Sequence, residues 1–141
     1  MTRVEKMPNA SLRLWLCAAL LLCAAPAFAQ QQLNAAQIRA LFAGNTLSGE
    51  NELGYDVQVY MDPSGKMSGQ SNNRYTDVGT WYVTDDGRYC RKWNSWRDGA
   101  EDCFTIRQAG PTSVRIKAIS RPYDGVYRVI RGDPHGLKDS L

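Results

Sequence analysis

Hydrophobic and polar side chains alternate in short segments over most of the chain, and alternation with a period of two indicates β-strands. Residues 55–61 show the pattern most clearly, with one face formed by Tyr55, Val57, Val59 and Met61. Turn-forming sequences such as Asp62-Pro63-Ser64-Gly65 separate the segments. About eight strands are predicted, at residues 46–48, 55–61, 66–70, 78–84, 88–93, 103–108, 113–120 and 126–131.

Before the strands, hydrophobic side chains follow a helical spacing. Asn34 and Gln37 form the sequence pattern of a capping box, and Gly44 suits the left-handed residue that ends a helix. A helix is therefore predicted at residues 35–43, covering one end of the sheet. Strands joined by short turns pair antiparallel, so the chain is predicted to be mainly β, a small antiparallel β-barrel or sandwich with one N-terminal helix.

The register of the central hairpin decides which side chains enter the core. A two-residue turn at Asp86-Gly87 places Cys90 on the same face as Trp81 and Val83, which we expect to be the core face. A three-residue turn reverses this pairing, because a shift of one residue moves every side chain to the other face.

Residues 1–29 have the pattern of a secretory signal peptide, with a basic start, a short apolar run and Ala27-Phe28-Ala29 before the expected cleavage site. A membrane anchor is disfavoured because the apolar run is too short. Lipoprotein processing at Cys23 is a weaker alternative, because Leu22 stands where such sites carry a small residue. Residues 30–141 then form a single domain.

Removal of the predicted signal peptide changes the charge balance of the chain. The full chain has 17 Lys+Arg and 14 Asp+Glu, whereas residues 30–141 hold 14 and 13, a net charge of +1. This balance argues against a nucleic-acid partner, which requires a concentrated basic face. Cys90 and Cys103 remain as an even pair, which in an exported chain predicts a disulfide. The expected location is the periplasm or the outside of the cell.

Residues with catalytic or metal-binding potential lack the surroundings that such chemistry needs. The only histidine, His135, lies between Pro134 and Gly136 near the C-terminus, without an orienting partner. The paired carboxylates Asp85 and Asp86 are better explained by a turn. The clustered carboxylates Glu50, Glu52 and Asp56 are better explained by a solvated loop. The protein is therefore expected not to be an enzyme and to use no metal or cofactor.

Aromatic residues are the strongest candidates for binding. Trp81 is assigned to the core, and Trp96 is the preferred exposed aromatic, in a loop that mixes stacking surfaces with hydrogen-bonding groups. The predicted ligand-binding residues lie in or near this loop and are Trp93, Asn94, Trp96, Arg97, Tyr82 and Arg91.

An ordered set of short motifs extends over most of residues 30–141: Leu41, Gly44-Asn45-Thr46, Gly79-Thr80-Trp81, Asp86-Gly87, Cys90, Trp93 and Cys103. In this set the chain resembles a family of small exported bacterial proteins of unassigned function. The resemblance implies a single exported domain with a β-barrel and a disulfide, and it brings no catalytic residues.

Two functions are consistent with these features. The first is a non-enzymatic periplasmic binding or accessory protein that recognises an envelope component, a glycan or a lipid. The alternative is a proteinaceous inhibitor of a secreted or periplasmic hydrolase, because a rigid disulfide-linked barrel suits a pre-organised protein interface. A cavity of several hundred Å³ inside the barrel favours a small ligand, whereas a filled interior favours a protein or polymer partner.

Overall fold

The computed structural model describes residues 2–3 and 31–141. The expected signal peptide, its cleavage site and Cys23 lie outside the described residues, except for positions 2 and 3. Within the described residues no helix has the length and apolar character needed to cross a membrane.

Eight antiparallel strands form a closed barrel in which each strand pairs with its neighbours in sequence and β8 pairs with β1. This confirms the barrel among the predicted architectures. The strands are β1 (Asn45–Glu50), β2 (Asp56–Met61), β3 (Lys66–Ser71), β4 (Tyr75–Val83), β5 (Arg88–Trp93), β6 (Glu101–Gly110), β7 (Ser113–Ala118) and β8 (Asp124–Arg131). All eight coincide with predicted segments, although β4 begins three residues earlier than its alternation indicated.

Helix α1 (Ala35–Phe42) covers one end of the barrel, as predicted, and begins with the expected capping box between Asn34 and Gln37. Ile38 and Phe42 are fully buried, and the Phe42 ring meets the ring of Tyr89 edge-on at 5.2 Å. Arg39 Nη2 donates to the Val83 carbonyl at 2.7 Å and fixes the helix to β4. We call this the closed end; it also holds the β2–β3, β4–β5 and β6–β7 turns.

The C-terminal segment covers part of the outer surface. Thr46 Oγ1 donates to the Gly132 carbonyl at 2.7 Å, and the following short helix Leu137–Ser140 packs against β3 and β2. Leu137 is buried in this contact. This cover explains why Tyr60, which alternation places on the outer face of β2, is also buried.

The predicted register of the central hairpin is wrong. Val83 pairs with Tyr89 and Tyr82 pairs with Cys90, because the turn contains three residues and ends with Gly87 in the left-handed region at φ 83°. Cys90 consequently lies on the outer face. The inner face of β5 instead carries Tyr89, Arg91 and Trp93, while Trp81 stays in the core as predicted.

Cys90 and Cys103 form a disulfide between directly opposed residues of β5 and β6. The bond links the two strands at the base of the loop that joins them. A disulfide is compatible with an oxidising extracellular compartment.

We expect the double variant Cys90→Ala, Cys103→Ala to lose about 3 kcal/mol of unfolding free energy, because the bond closes a loop with a sequence separation of 13 residues. Urea unfolding followed by tryptophan fluorescence measures the change. Reductant should destabilise the wild type to a similar extent and leave the double variant unaffected. Equal stability of the wild type and the double variant would contradict the stabilising role.

Candidate functional site

A cavity of about 310 Å³ opens at the end of the barrel opposite α1. We call this the open end; the β1–β2, β3–β4, β5–β6 and β7–β8 loops surround it. The floor is filled, since Tyr89 and Phe104 are fully buried and stack with ring centroids 5.6 Å apart. The barrel is therefore solid toward α1 and hollow toward the open end. The apolar and aromatic lining comprises Leu53, Tyr55, Val57, Tyr75, Trp93 and Trp96.

Two tryptophans form one wall of the cavity. The rings of Trp93 and Trp96 lie 4.6 Å apart with an interplanar angle of 53°. Gly69 on β3 makes room for both, because a Cβ atom there would lie 2.4 Å from the Trp93 ring and 2.8 Å from the Trp96 ring. Trp96 is partly buried and packs against the core, so it is less exposed than the sequence suggested.

The Asp77 carboxylate holds the β5–β6 loop in place. Its Oδ2 accepts hydrogen bonds from the backbone N–H groups of Ser95 at 2.8 Å and Trp96 at 2.7 Å. Asp77 lies on β4 and is buried. An anionic acceptor for two backbone donors is a strong anchor, so β4 positions the Trp96 ring over the cavity.

The residues after Trp96 adopt an uncommon backbone conformation. Arg97 and Asp98 have φ of 56° and 55°, in the left-handed region that residues other than glycine rarely adopt. Arg97 is held there by two ion pairs, at 2.7 Å to Glu52 Oε1 and 2.6 Å to Asp102 Oδ2. Such strain persists only where the surroundings enforce it and concentrates at functional sites.

The same two carboxylates also bind Arg121 of the β7–β8 loop. Arg121 Nε lies 3.2 Å from Asp102 Oδ2, and its Nη1 contacts Glu52 Oε2. Asp102 is buried, with 6% side-chain exposure, and Arg121 retains 14%. Two cations and two anions thus form a neutral cluster, the rim ion cluster, which joins three loops of the open end.

Arg91 is the remaining cation that lines the cavity, and it has a different environment. Its guanidinium lies 4.8 Å from the centre of the Phe104 ring and 5.8 Å from that of Trp93. Its Nε is buried without a hydrogen-bond partner. Over residues 2–3 and 31–141, no carboxylate lies within ion-pair distance of it.

Arg91 stays protonated in this setting. Burial alone lowers the pKa of Arg91, but the neighbouring hydroxyl groups of Tyr89 and Tyr127 outweigh that effect and raise the pKa overall. The carboxylate opposite Arg91 in the β5–β6 register, Asp102, pairs instead with Arg97 and Arg121. The cavity therefore contains a permanent positive charge that has no ion pair among the described residues.

Two tyrosines complete the opposite wall. The hydroxyls of Tyr123 and Tyr127 lie 2.7 Å apart, and each lies 3.0 Å from the Glu50 carbonyl oxygen. Burial raises the pKa of both side chains, so both hydroxyls remain neutral hydrogen-bond donors at neutral pH. Gly49 accommodates the Tyr127 ring, which a Cβ atom would approach to 2.8 Å.

The structure brings four of the six predicted ligand-binding residues to the cavity: Arg91, Trp93, Trp96 and Arg97. Asn94 borders a separate surface depression beside the C-terminus. Tyr82 lies on the outer face of β4, where its hydroxyl donates to Glu101 Oε1 at 2.5 Å. These two side chains therefore lie apart from the site.

The acidic group considered for cation binding has other contacts. Both carboxylate oxygens of Glu52 are occupied by Arg97 and Arg121. In the part of the chain that the structure describes, three potential metal ligands converge only at Cys90, Glu101 and Cys103. The two sulfur atoms there are bonded to each other, which removes their capacity to bind a metal as thiolates.

Several site residues were not found from the sequence, namely Asp77, Asp102, Arg121, Tyr123 and Tyr127. Strand alternation places Asp77 on the inward face with Trp81 and Val83, and an inward charge is the pattern that could have identified it. Arg121 and its ion pairs depend on loop geometry, for which the sequence carries no comparable pattern.

We expect Asp102→Asn to lower the unfolding free energy by about 2 kcal/mol, because it removes the buried one of the two carboxylates that Arg97 and Arg121 share and leaves only Glu52 to pair with them. The matched control is Asp124→Asn, which breaks the exposed pair with Arg115 at 3.1 Å and should cost about 0.5 kcal/mol. Urea unfolding compares the two variants. Equal losses would show that the rim ion cluster contributes no more than a surface pair.

Replacement of Arg91, the cation without an ion pair, is expected to raise the unfolding free energy. Arg91→Met keeps an elongated side chain and removes a partly buried charge, whose desolvation penalty exceeds the roughly 1 kcal/mol that its ring contacts return. The variant should therefore be more stable than the wild type by about 1 kcal/mol or more in urea unfolding. A loss of stability would indicate that Arg91 is required by the fold.

Comparison with known proteins adds no assignment. No protein-family model matches the chain, and a search of curated proteins finds no significant match.

Proposed function

We propose that the protein is a non-enzymatic binding protein of the bacterial envelope that holds a small amphipathic molecule in the cavity of the open end. The supporting observation is the half-filled barrel, with a cavity of about 310 Å³ above a packed aromatic floor. This volume is at the lower end of the range of small-ligand sites. The proposed occupant is an envelope component of the lipid class.

The hydrogen-bonding groups of the cavity favour a lipid over a glycan. A sugar presents many hydroxyl groups and needs several free polar partners. The carboxylates of Glu52 and Asp102 are occupied by arginines, and the Tyr123 and Tyr127 hydroxyls by each other and by the Glu50 carbonyl. The remaining surface is mainly aromatic and apolar, which suits a hydrocarbon chain.

The positions of the former catalytic candidates support a binding role. His135 is exposed in the C-terminal segment and is not among the cavity-lining residues. Asp85 and Asp86 occupy the β4–β5 turn at the closed end, where they pair with Arg39 and Arg88. The two turn carboxylates are thus separated from the cavity by the packed core.

The proposed location is the periplasm or the outside of the cell. The signal-peptide pattern of residues 1–29 and the disulfide between Cys90 and Cys103 both support it. Such a location gives the cavity access to envelope lipids.

The open end also carries the feature that favours the second candidate function, inhibition of a hydrolase. Leu53, Tyr55 and Tyr75 are 70%, 46% and 57% exposed around the cavity. Exposed aromatic and aliphatic side chains on one end of a rigid barrel resemble the centre of a protein interface. Co-purification of one protein partner in a 1:1 ratio, with the cavity empty, would favour inhibition.

Titration with the neutral fluorescent probe N-phenyl-1-naphthylamine tests the proposed cavity binding. We expect saturable enhancement of probe fluorescence by the exported protein, with an affinity in the micromolar range. Trp96→Ala should weaken binding about 10-fold, because it removes a large aromatic contact worth about 1–2 kcal/mol. The matched control, Tyr82→Ala, removes an aromatic from the outer face and should leave binding unchanged.

Competition for the probe site distinguishes a lipid ligand from a glycan ligand. Single-chain lipids separated from a bacterial membrane extract should displace the probe, whereas soluble oligosaccharides from the same envelope should not. Absence of saturable probe binding, or equal weakening by both alanine variants, would refute binding in the cavity. Displacement by the oligosaccharides alone would replace the lipid with a glycan.

A further inference from the structure

The position of Arg91 inverts the usual arrangement of charge in a barrel. Charged groups normally lie at the rim, where water solvates them, and buried charges normally have a partner. Arg91 lies on the inner face of β5 between the fully buried Tyr89 and the buried Trp93, directly over the floor of the cavity. The rim above it carries the exposed apolar residues Leu53, Tyr55 and Tyr75.

The other charges of the cavity do not compensate this cation. Arg97 and Arg121 are matched by Glu52 and Asp102 in the rim ion cluster. The site as a whole therefore has one surplus positive charge, and that charge is at its deepest point. An occupant that brings one negative charge would neutralise it.

The geometry of the guanidinium limits the chemistry of that anion. The ring faces of Phe104 and Trp93 lie 4.8 Å and 5.8 Å from the guanidinium carbon and restrict access to it. Because Nε is buried, the two terminal Nη groups are the donors that Arg91 offers to an occupant of the cavity. A planar anion that accepts two parallel N–H bonds fits an arginine in a narrow site, and carboxylate is the common example.

We infer that the cavity binds a single-chain amphipathic carboxylate, such as a fatty acid, with its carboxylate on Arg91 and its chain directed toward the apolar rim. The inference rests on the proposed function and specifies its ligand. A two-chain phospholipid does not fit, because its headgroup and two chains would have to share a cavity of about 310 Å³.

The inward-facing carboxylate explains why the apolar residues of the open end are exposed. A chain that starts at Arg91 passes Trp93 and Trp96 and leaves between Tyr55 and Tyr75. Exposed apolar side chains at the exit would cover the part of the chain that extends beyond the cavity. The opposite orientation would place hydrocarbon against an uncompensated guanidinium and the carboxylate beside exposed apolar side chains and the carboxylate of Glu52.

Displacement of N-phenyl-1-naphthylamine by dodecanoate and by dodecanol at neutral pH tests the inference with the exported wild-type protein. The two competitors share their chain and differ in headgroup charge. We expect dodecanoate to bind about 10- to 100-fold more tightly, the range expected for a hydrogen-bonded charged contact. Dodecyl phosphate should bind less tightly than dodecanoate if the site is shaped for a planar anion.

Variants then test whether Arg91 causes the preference for dodecanoate. Arg91→Gln should remove the preference for dodecanoate while probe and dodecanol still bind, and Arg91→Lys should keep part of it. Arg128→Gln is the matched control, because Arg128 is exposed on the outer side of β8, and this variant should retain the full preference.

The outcomes distinguish the two proposals. Equal binding of acid and alcohol by the wild type, or a preference that survives in Arg91→Gln, would overturn the inference while leaving cavity binding intact. Failure of the probe itself to bind would overturn the proposed function. The wild-type comparison requires no variant to fold, so it decides the ligand charge independently.

Discussion

The turn between β4 and β5 fixes which side chains of β5 enter the barrel. Gly87 adopts φ 83° at the end of a three-residue turn, a conformation that glycine tolerates without strain. Val83 therefore pairs with Tyr89, and the inner positions of β5 fall on Tyr89, Arg91 and Trp93. The aromatic floor, the cavity cation and one tryptophan wall all depend on this register, because a slip of one residue would turn the three side chains outward.

The register also places the packed core and the proposed binding cavity at opposite ends of the barrel. Toward α1, the rings of Phe42, Tyr89 and Phe104 form a continuous packed column with neighbouring centroids 5.2 Å and 5.6 Å apart. Toward the open end, the inner face also carries the charged residues Asp77 and Arg91 and the small residue Gly69, beside the aromatic side chains of the cavity. The closed end can then provide most of the hydrophobic stabilisation that the cavity and its charges reduce.

Much of the fold was predictable because it depends on local patterns. Alternation located every strand, and the capping box of Asn34 and Gln37 located α1. The error lay in the turn length at Asp86-Gly87, where a two-residue and a three-residue turn are both compatible with the sequence. The incorrect register placed Lys92 beside Trp81 in the core, whereas the observed register pairs Lys92 with Thr80 and places its side chain outside.

The candidate site was predictable only in part, because only some of its residues are close together in the sequence. Trp93, Trp96 and Arg97 are close in sequence, so one aromatic loop identified them together. The rim ion cluster joins Glu52 and Arg121 from two loops with Asp102 on β6, and barrel closure alone brings them within ion-pair distance. Contacts of this kind follow from the three-dimensional arrangement and leave no mark in the local pattern of the chain.

Departures from the usual rules of packing coincide at the open end. Arg91 is a partly buried cation without a carboxylate partner among the described residues, Arg97 has a strained backbone, and Leu53 is largely exposed. Each departure reduces stability, and none is needed to close the barrel. Conflicts between local preference and global fold are expected where a protein has a function to perform. These departures converge on one cavity, which the packed rings of the floor leave open for a separate reason. This convergence is the strongest structural argument for the proposed binding site at the open end.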